Sequence, residues 1–589
     1  MTVSDFLDHY RLTENPFRGE EARSDAVFSR MARHASDASP LSPQGDPSHS
    51  IQQPTLHHSD FEKILGDLRR PNSSVVFGEK GSGKTAIRLQ LAQRIAAFNA
   101  QNPAARVWLI AYDDLNGVLD RLHERLGGKS PLESLQKTRL VDHMDALLHA
   151  VVPRLVDALL LPESATAQEL NLGPNEKKPV KRLDRPSRAD VLILQSIYDR
   201  PDHAAVRTLQ LRRKLRISPP TDIVVGTIAL TAIPMLLVAA AIWLKFFPPV
   251  ELMARLTAAT PAWLPAKFDD AVLVVIGALY IALAFKLLVW DRLALRRTAR
   301  RVRRQVRVVS RRDTSYSRSL RQIKRAIRDN ADLPVTDSDE TRYTMLERLR
   351  GVLRTFGYSS LIVIVDRVDE PTLVRGDPDR MKAVIWPLLN NKFLQQEGVG
   401  IKMLLPMELR HAVFRESSTF FQEARLDKQS FIEHLSWTGA TLYDLCESRI
   451  TACSLTSKGS WAQDSLPPVT TGTANSNAVV VSPPELSSVP NALDVGIPPS
   501  RTPSRDQGGP PQLIELFAED VTRQDLIDAL DRVHQPRDAF KLLYRCLAEH
   551  CATVTRGQQE FKIPRHILLQ VAKQETERVQ QVFRGIRPG

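Results

Sequence analysis

A chain of 589 residues, 43% hydrophobic and 25% charged, is too long for one core and has the make-up of folded domains. Its formal charge of +13 excludes a generally basic, polyanion-coating surface, because residues 291–328 hold 15 Arg and Lys against two Asp and so account for all of it. Four cysteines, Cys446, Cys453, Cys546 and Cys551, with no C-x-x-C pair exclude a disulfide framework and read as reduced structural thiols.

The first segment, 1–58, opens on a polar stretch with no secretory signal, and 35–58 is rich in Ser, Pro, His and Gln, a composition expected to be disordered. The next, 59–210, contains the strongest motif. Ser74-Val75-Val76-Phe77 is an apolar run leading into Gly78-Glu79-Lys80-Gly81-Ser82-Gly83-Lys84-Thr85, and apolar residues at Ile87, Leu89, Leu91, Ile95 and Ala96 then follow helical spacing. Strand, G-x-x-x-x-G-K-T loop and helix are the order a P-loop needs. Gly78, Gly81, Ser82 and Gly83 let backbone amides close round phosphate, Lys84 reaches the β- and γ-phosphates, and the Thr85 hydroxyl binds Mg²⁺. Arg106 to Tyr112, followed by Asp113 and Asp114, predicts a second buried parallel strand. Residues 161–186 read as a polar spacer.

Segment 211–290 predicts a transmembrane hairpin. Residues 223–244 carry no charge and reach about 33 Å as a helix, and residues 271–290 carry only Lys286, close to the end. Trp243 and Trp290 mark the interfaces, and arginines flank the pair on its outer sides. Positive-inside reasoning therefore puts both termini and the P-loop in the cytoplasm, with a short loop outside. Segment 291–345 begins with the basic stretch, whose Val302, Val306, Val309, Leu320, Ile323 and Ile327 fit a helical stem with an arginine-rich face for anionic lipid headgroups. Arginine-rich helices also bind nucleic acid, but Tyr316 is the one aromatic residue here and gives no stacking platform.

In segment 346–453, Leu361-Ile362-Val363-Ile364-Val365 predicts a buried strand, and Asp366 at its end is placed to organise Mg²⁺. Asp369 and Glu370 follow; one of them would orient or deprotonate the attacking water. Ile401 to Pro406 predicts a further core strand. Segment 454–512, dominated by Ser, Pro, Thr, Asn and Gly, reads as a flexible linker, and 513–589 as a helical lid with stripes at Leu526, Ile527, Leu530 and at Phe540, Leu542, Leu543, Cys546. The predicted fold is α/β: a parallel-sheet P-loop core split by a two-helix transmembrane hairpin, with a C-terminal all-helical lid.

These motifs resemble the KAP family of P-loop NTPases, an AAA+/STAND-type core interrupted by membrane helices between its two nucleotide motifs. The resemblance rests on the P-loop, on Asp366-Arg367-Val368-Asp369-Glu370, on Leu435-Ser436-Trp437, and on Gln535-Pro536-Arg537-Asp538 opening a helix. It implies a sensor-like Arg537 that touches phosphate, and most such proteins work as homo-oligomers completed by a neighbour's arginine, for which Arg410, Arg415 and Arg425 are candidates. ATP, with Mg²⁺ at Thr85 and Asp366, is favoured over GTP because no N-K-x-D string follows the acidic strand. Where the family shows a second adjacent acid, this chain has Arg367. The function expected is a membrane-anchored ATPase of the signalling or defence type. The alternatives are a nucleotide-gated membrane scaffold with little turnover and a membrane-tethered, DNA-associated ATPase.

Overall fold

The computed structural model describes residues 1–18, 22–37, 58–161, 163–164, 169–172, 179–220, 290–414, 429–454, 510–554 and 560–583, with a few helical positions between 228 and 285. These residues form two compact units. One comprises Met1–His58, Gly81–Thr85 and Ser436–Gly589; the other comprises Ser59–Lys80 and Ala86–Leu435.

The second unit is built on five parallel strands: β1 (Ser74–Gly78), β2 (Arg106–Tyr112), β3 (Tyr358–Val365), β4 (Val399–Pro406) and β5 (Ser430–Ile432), in the order β2-β3-β4-β1-β5. Four of the five were expected. Their near-continuous aliphatic runs suit strands covered on both faces. The period-two alternation divides them between two cores. Val75, Phe77, Trp108, Ile110, Leu361, Val363, Ile401 and Met403 pack into a large helical layer. Val76, Val107, Ile362, Ile364 and Leu404 pack on the other side with Ile87, Leu91 and Ile95 of the helix Lys84–Gln101. All strands run the same way, so β1, β2 and β3 bring their carboxyl ends to one edge.

Two expectations are corrected. The spacer at 161–186 is in part folded: Leu170, Leu172 and Leu183 are buried in the core, and Asp184 caps a helix at Arg185–Tyr198. The basic stretch is three helices, Asp291–Gln305, Asp313–Leu320 and Arg325–Asp329, and no continuous stem. Val306, Val308, Val309 and Tyr316 sink into the core where the first helix ends. Buried Arg311 donates to the Ser196 carbonyl at 2.6 Å, and its guanidinium lies 4.6 Å from the centre of the Tyr316 ring. Some of these arginines are therefore structural. Arg292, Arg296, Arg297, Arg300 and Arg301 remain exposed.

The predicted spans at 223–244 and 271–290 lie, but for scattered positions, outside the described residues. Among those positions Ile228, Met235, Leu236, Ile281 and Phe285 are helical and mostly exposed. No helix among the described residues is long and apolar enough to cross a membrane. The chain before the insertion is pinned to the chain after it: Thr208 Oγ1 donates to Ser319 Oγ at 2.9 Å and Arg212 donates to Gln322 at 2.6 Å. Most of the two composition-based disorder assignments, residues 38–57 and 455–509, also lies outside the described residues.

The first unit is helical and is made from both ends of the chain. Phe6, Leu7, Leu12 and Phe17 share a core with Leu442, Cys446 and Ile450 of the helix Gly439–Cys453 and with Leu542, Leu543 and Cys546 of the helix Pro536–Thr553. The N-terminal ammonium donates to the Val554 carbonyl at 3.1 Å. Residues 436–453, read from the sequence as part of the sheet domain, group here with the lid.

One buried charge predicts a pH effect. Lys402, on β4, is fully buried, and its ammonium donates to the carbonyl and the side-chain oxygen of Asn72 at 2.8 and 3.1 Å, with no carboxylate among these partners. Burial lowers its pKa to about 7. The unfolded chain keeps this proton up to about pH 10.4, so unfolding takes up a proton in the window above pH 7 and stability rises there. Urea midpoints are expected to climb between pH 7 and 9, and Lys402→Met is expected to flatten that rise. A wild-type midpoint that does not climb more steeply than that of Lys402→Met would contradict this.

Candidate nucleotide site

At the carboxyl edge of the sheet, Asp113 follows β2 and Asp366 follows β3. Tyr112 pairs with Val365 in the ladder, so the two aspartates end neighbouring strands. Asp366 is 3% exposed. Arg88, on the helix that begins at Lys84, reaches both: its Nη1 lies 2.5 Å from Asp113 and 3.6 Å from Asp366. Lys84 and Arg88 are one helical turn apart, which sets them on the same face.

The turn after Asp366 is strained. Arg367 has φ +58°, a left-handed conformation costing a non-glycine residue about 1–2 kcal/mol. Its surroundings hold it there. The Arg367 N–H donates to Asp366 Oδ1 at 2.9 Å, Val368 and Val374 are buried, the Gly376 N–H donates to the Asp369 carbonyl, and the Thr372 N–H donates to Asn116 Oδ1. The two candidate acids are thereby separated. Asp369 lies 3.4 Å from the ammonium of Lys80, inside the glycine-rich motif, whereas Glu370 is more than half exposed and pairs with Arg367 at 3.3 Å.

In the helical unit, the loop Gly81–Thr85 is gripped by the lid. Gly81 and Gly83 have φ of +98° and +94°. Glycine at 81 is required twice over, by that conformation and by space, since a Cβ there would stand 2.9 Å from Arg537 Cβ and 3.0 Å from Gln535 Oε1. Buried Trp437 donates its indole N–H to the Ser82 carbonyl at 2.9 Å, and its ring is 3.6 Å from where a Gly83 Cβ would be. His58 meets Trp437 edge-on at 4.9 Å and hydrogen-bonds the Ser436 carbonyl through Nε2.

The structure thus brings Arg537 to Gly81, places Asp369 by Lys80, and sets Asp366 at the end of the acidic strand. Arg410 pairs with Glu433 at 2.8 Å, and Arg415 and Arg425 lie outside the described residues. Sequence reasoning missed Arg88 and the grip of Trp437. For Arg88 the signal was its spacing from Lys84.

The donors fit Mg²⁺. Asp366 and Asp113, at the ends of paired strands, supply hard oxygens, and no group of three or more His, Cys, Asp or Glu among the described residues could hold a metal alone. Mg²⁺ is commonly held in this way, by one or two carboxylates with substrate phosphates supplying the rest. No protein-family model, curated protein or solved structure matches the chain.

Proposed function

We propose that the chain is a membrane-anchored P-loop NTPase that binds and hydrolyses ATP with Mg²⁺ on the cytoplasmic face, as a nucleotide-driven switch of the signalling or defence type. One observation carries the reading: the G-x-x-x-x-G-K-T loop joins β1 to its helix, and the acidic β3 lies in the same parallel sheet with one strand between. Ligands of such sheets bind outside the carboxyl ends of the strands. The loop is covalently continuous with β1 at Lys80–Gly81 and with its helix at Thr85–Ala86.

In this reading Gly78, Gly81, Ser82 and Gly83 offer amides to phosphate, Lys84 neutralises the β- and γ-oxygens, and Thr85 and Asp366 hold Mg²⁺. Asp369 orients water, helped by its place beside Lys80. Arg537 senses the loop from the lid, as its packing on Gly81 supports. The membrane anchor is supported by the exposed apolar residues around 228–236 and 281–285, and by the bonds that tie the helix before the insertion to Asp313–Leu320 and the residues just after it. The exposed arginines of Asp291–Gln305 would meet anionic headgroups. Homo-oligomerisation is part of the same proposal.

The scaffold reading draws on the Arg367–Glu370 pair, which keeps one candidate acid engaged. The full chain in vesicles, assayed for ATP binding and phosphate release, decides between them. Saturable binding with turnover supports the ATPase, binding with turnover at background supports the scaffold, and no binding at millimolar ATP removes both.

A further inference from the structure

We propose that the helical unit carries a binding site of its own, a cleft that takes a small organic anion with an aromatic body. Every residue lining it belongs to that unit.

The cleft begins as a pattern on the helix Pro536–Thr553. Arg537, Phe540, Lys541, Tyr544 and Arg545 follow the spacing i, i+3, i+4, i+7, i+8 and so share one face. The helix is anchored through its other side, where Ala539, Leu542, Leu543, Cys546 and Leu547 are buried. The face of cations and rings lines a cleft of about 330 Å³, completed by Phe17 and Arg18 near the start of the chain and by Glu575 and Arg578 of the helix Arg565–Phe583. That volume lies at the lower end of the range for ligand pockets, about 300–1,000 Å³, and suits a small molecule.

Three rings supply an apolar wall. Phe17 is buried, Phe540 is half-buried and Tyr544 is 42% exposed. The guanidinium of buried Arg449 lies 4.4 Å from the centre of the Phe540 ring and is itself held by Asp25 at 2.6 Å, so this ring is fixed from behind.

The charges do not cancel. Glu575 takes Arg545 and Arg578 at 2.6 Å each, and Asp538 takes Arg578 at 2.5 Å. Arg18 and Lys541 have no ion pair among the described residues and are left to meet a ligand. A bare anion would leave the rings in water, and a neutral ring would gain nothing from Arg18 and Lys541. An anion with a flat apolar body answers both. Arg537 lines the cleft and also packs against Gly81, so an occupant touches the same arginine as the glycine-rich loop.

The test is calorimetric titration of the full chain in vesicles, without nucleotide, with 1-naphthyl phosphate, a dianion on two fused rings. Saturable binding is expected with a dissociation constant below about 1 mM. Arg18→Ala combined with Lys541→Ala is expected to weaken it about tenfold or more, and inorganic phosphate to bind about tenfold more weakly than the naphthyl ester. Lys84→Ala is expected to bind the probe as the wild type does. No saturable binding by the wild type overturns the proposal, as does a double variant that binds as the wild type does. Inorganic phosphate binding as tightly as the ester overturns it, and so does a loss in Lys84→Ala as large as in the double variant, which would put the probe at the glycine-rich loop. Should the double variant fail to fold, a Lys541→Gln protein that binds the probe undiminished overturns it. No nucleotide is added, so failure of the ATPase reading is recognised separately.

Discussion

Lys84→Ala is expected to lower ATP turnover by about 10²–10³-fold. The ammonium is the one side-chain cation of the motif assigned to the β- and γ-phosphates, and a hydrogen bond to a charged group contributes about 1.5–3 kcal/mol. Losing two such contacts, partly replaced by water, costs about 3–4 kcal/mol, and each ~1.4 kcal/mol is tenfold in rate. Asp366→Asn should separate metal from nucleotide. It removes a carboxylate from a position only 3% exposed, so Mg²⁺-dependent turnover falls to a similar extent while ATP still binds without metal. Phosphate release and ATP binding with and without Mg²⁺ check both. A Lys84→Ala protein that turns over ATP as the wild type does would remove the P-loop from the mechanism.

Arg342→Ala is expected to destabilise the sheet unit by about 3–5 kcal/mol, the usual loss when one partner of a buried ion pair is removed. Arg342 and Asp145 are both fully buried, joined through Nε and Nη2 at 3.3 and 3.2 Å, and the Tyr198 hydroxyl donates to the same carboxylate at 2.8 Å. Desolvation already pushes the Asp145 carboxyl up to about 6, against the pull of Arg342 and the Tyr198 hydrogen bond. Between about pH 4 and 6 the folded chain therefore holds a proton that the unfolded chain has lost, so this group's contribution to stability falls as pH rises through that window. Without Arg342 the carboxyl shifts further up, and the loss should be larger at pH 8 than at pH 5. Arg342→Met with Asp145→Leu should recover most of it, because apolar replacement of a whole buried pair is often neutral or better. Urea denaturation at the two pH values tests this, and a single variant losing less than about 1 kcal/mol at pH 8 would contradict it.

The central strands were legible because burial on both faces leaves an unmistakable record, Val-Val-Phe before the loop and Leu-Ile-Val-Ile-Val before Asp366. β5 was not, since Ser430–Ile432 is three residues long and owes its place to pairing with β1. The strand and helix flanking the glycine-rich loop were legible because the motif is local. Arg88 was only half legible: its spacing from Lys84 is local, but its contacts with Asp113 and Asp366 exist because strand pairing brings those two together. The basic stretch misled for the opposite reason. Helical spacing ran on through Val306 and Val309, but burial of Val308 and Arg311 in the core broke the helix.

The hydrogen bond from Trp437 to Ser82 spans 355 residues of sequence. At about 5–20 residues per second, a ribosome needs roughly 20–70 s to cross that interval. The N-terminal ammonium waits longer still, for Val554. The helical unit therefore cannot close before residue 554 has been made. During synthesis the glycine-rich loop exists without Trp437, Gln535 or Arg537 until those residues have left the ribosome.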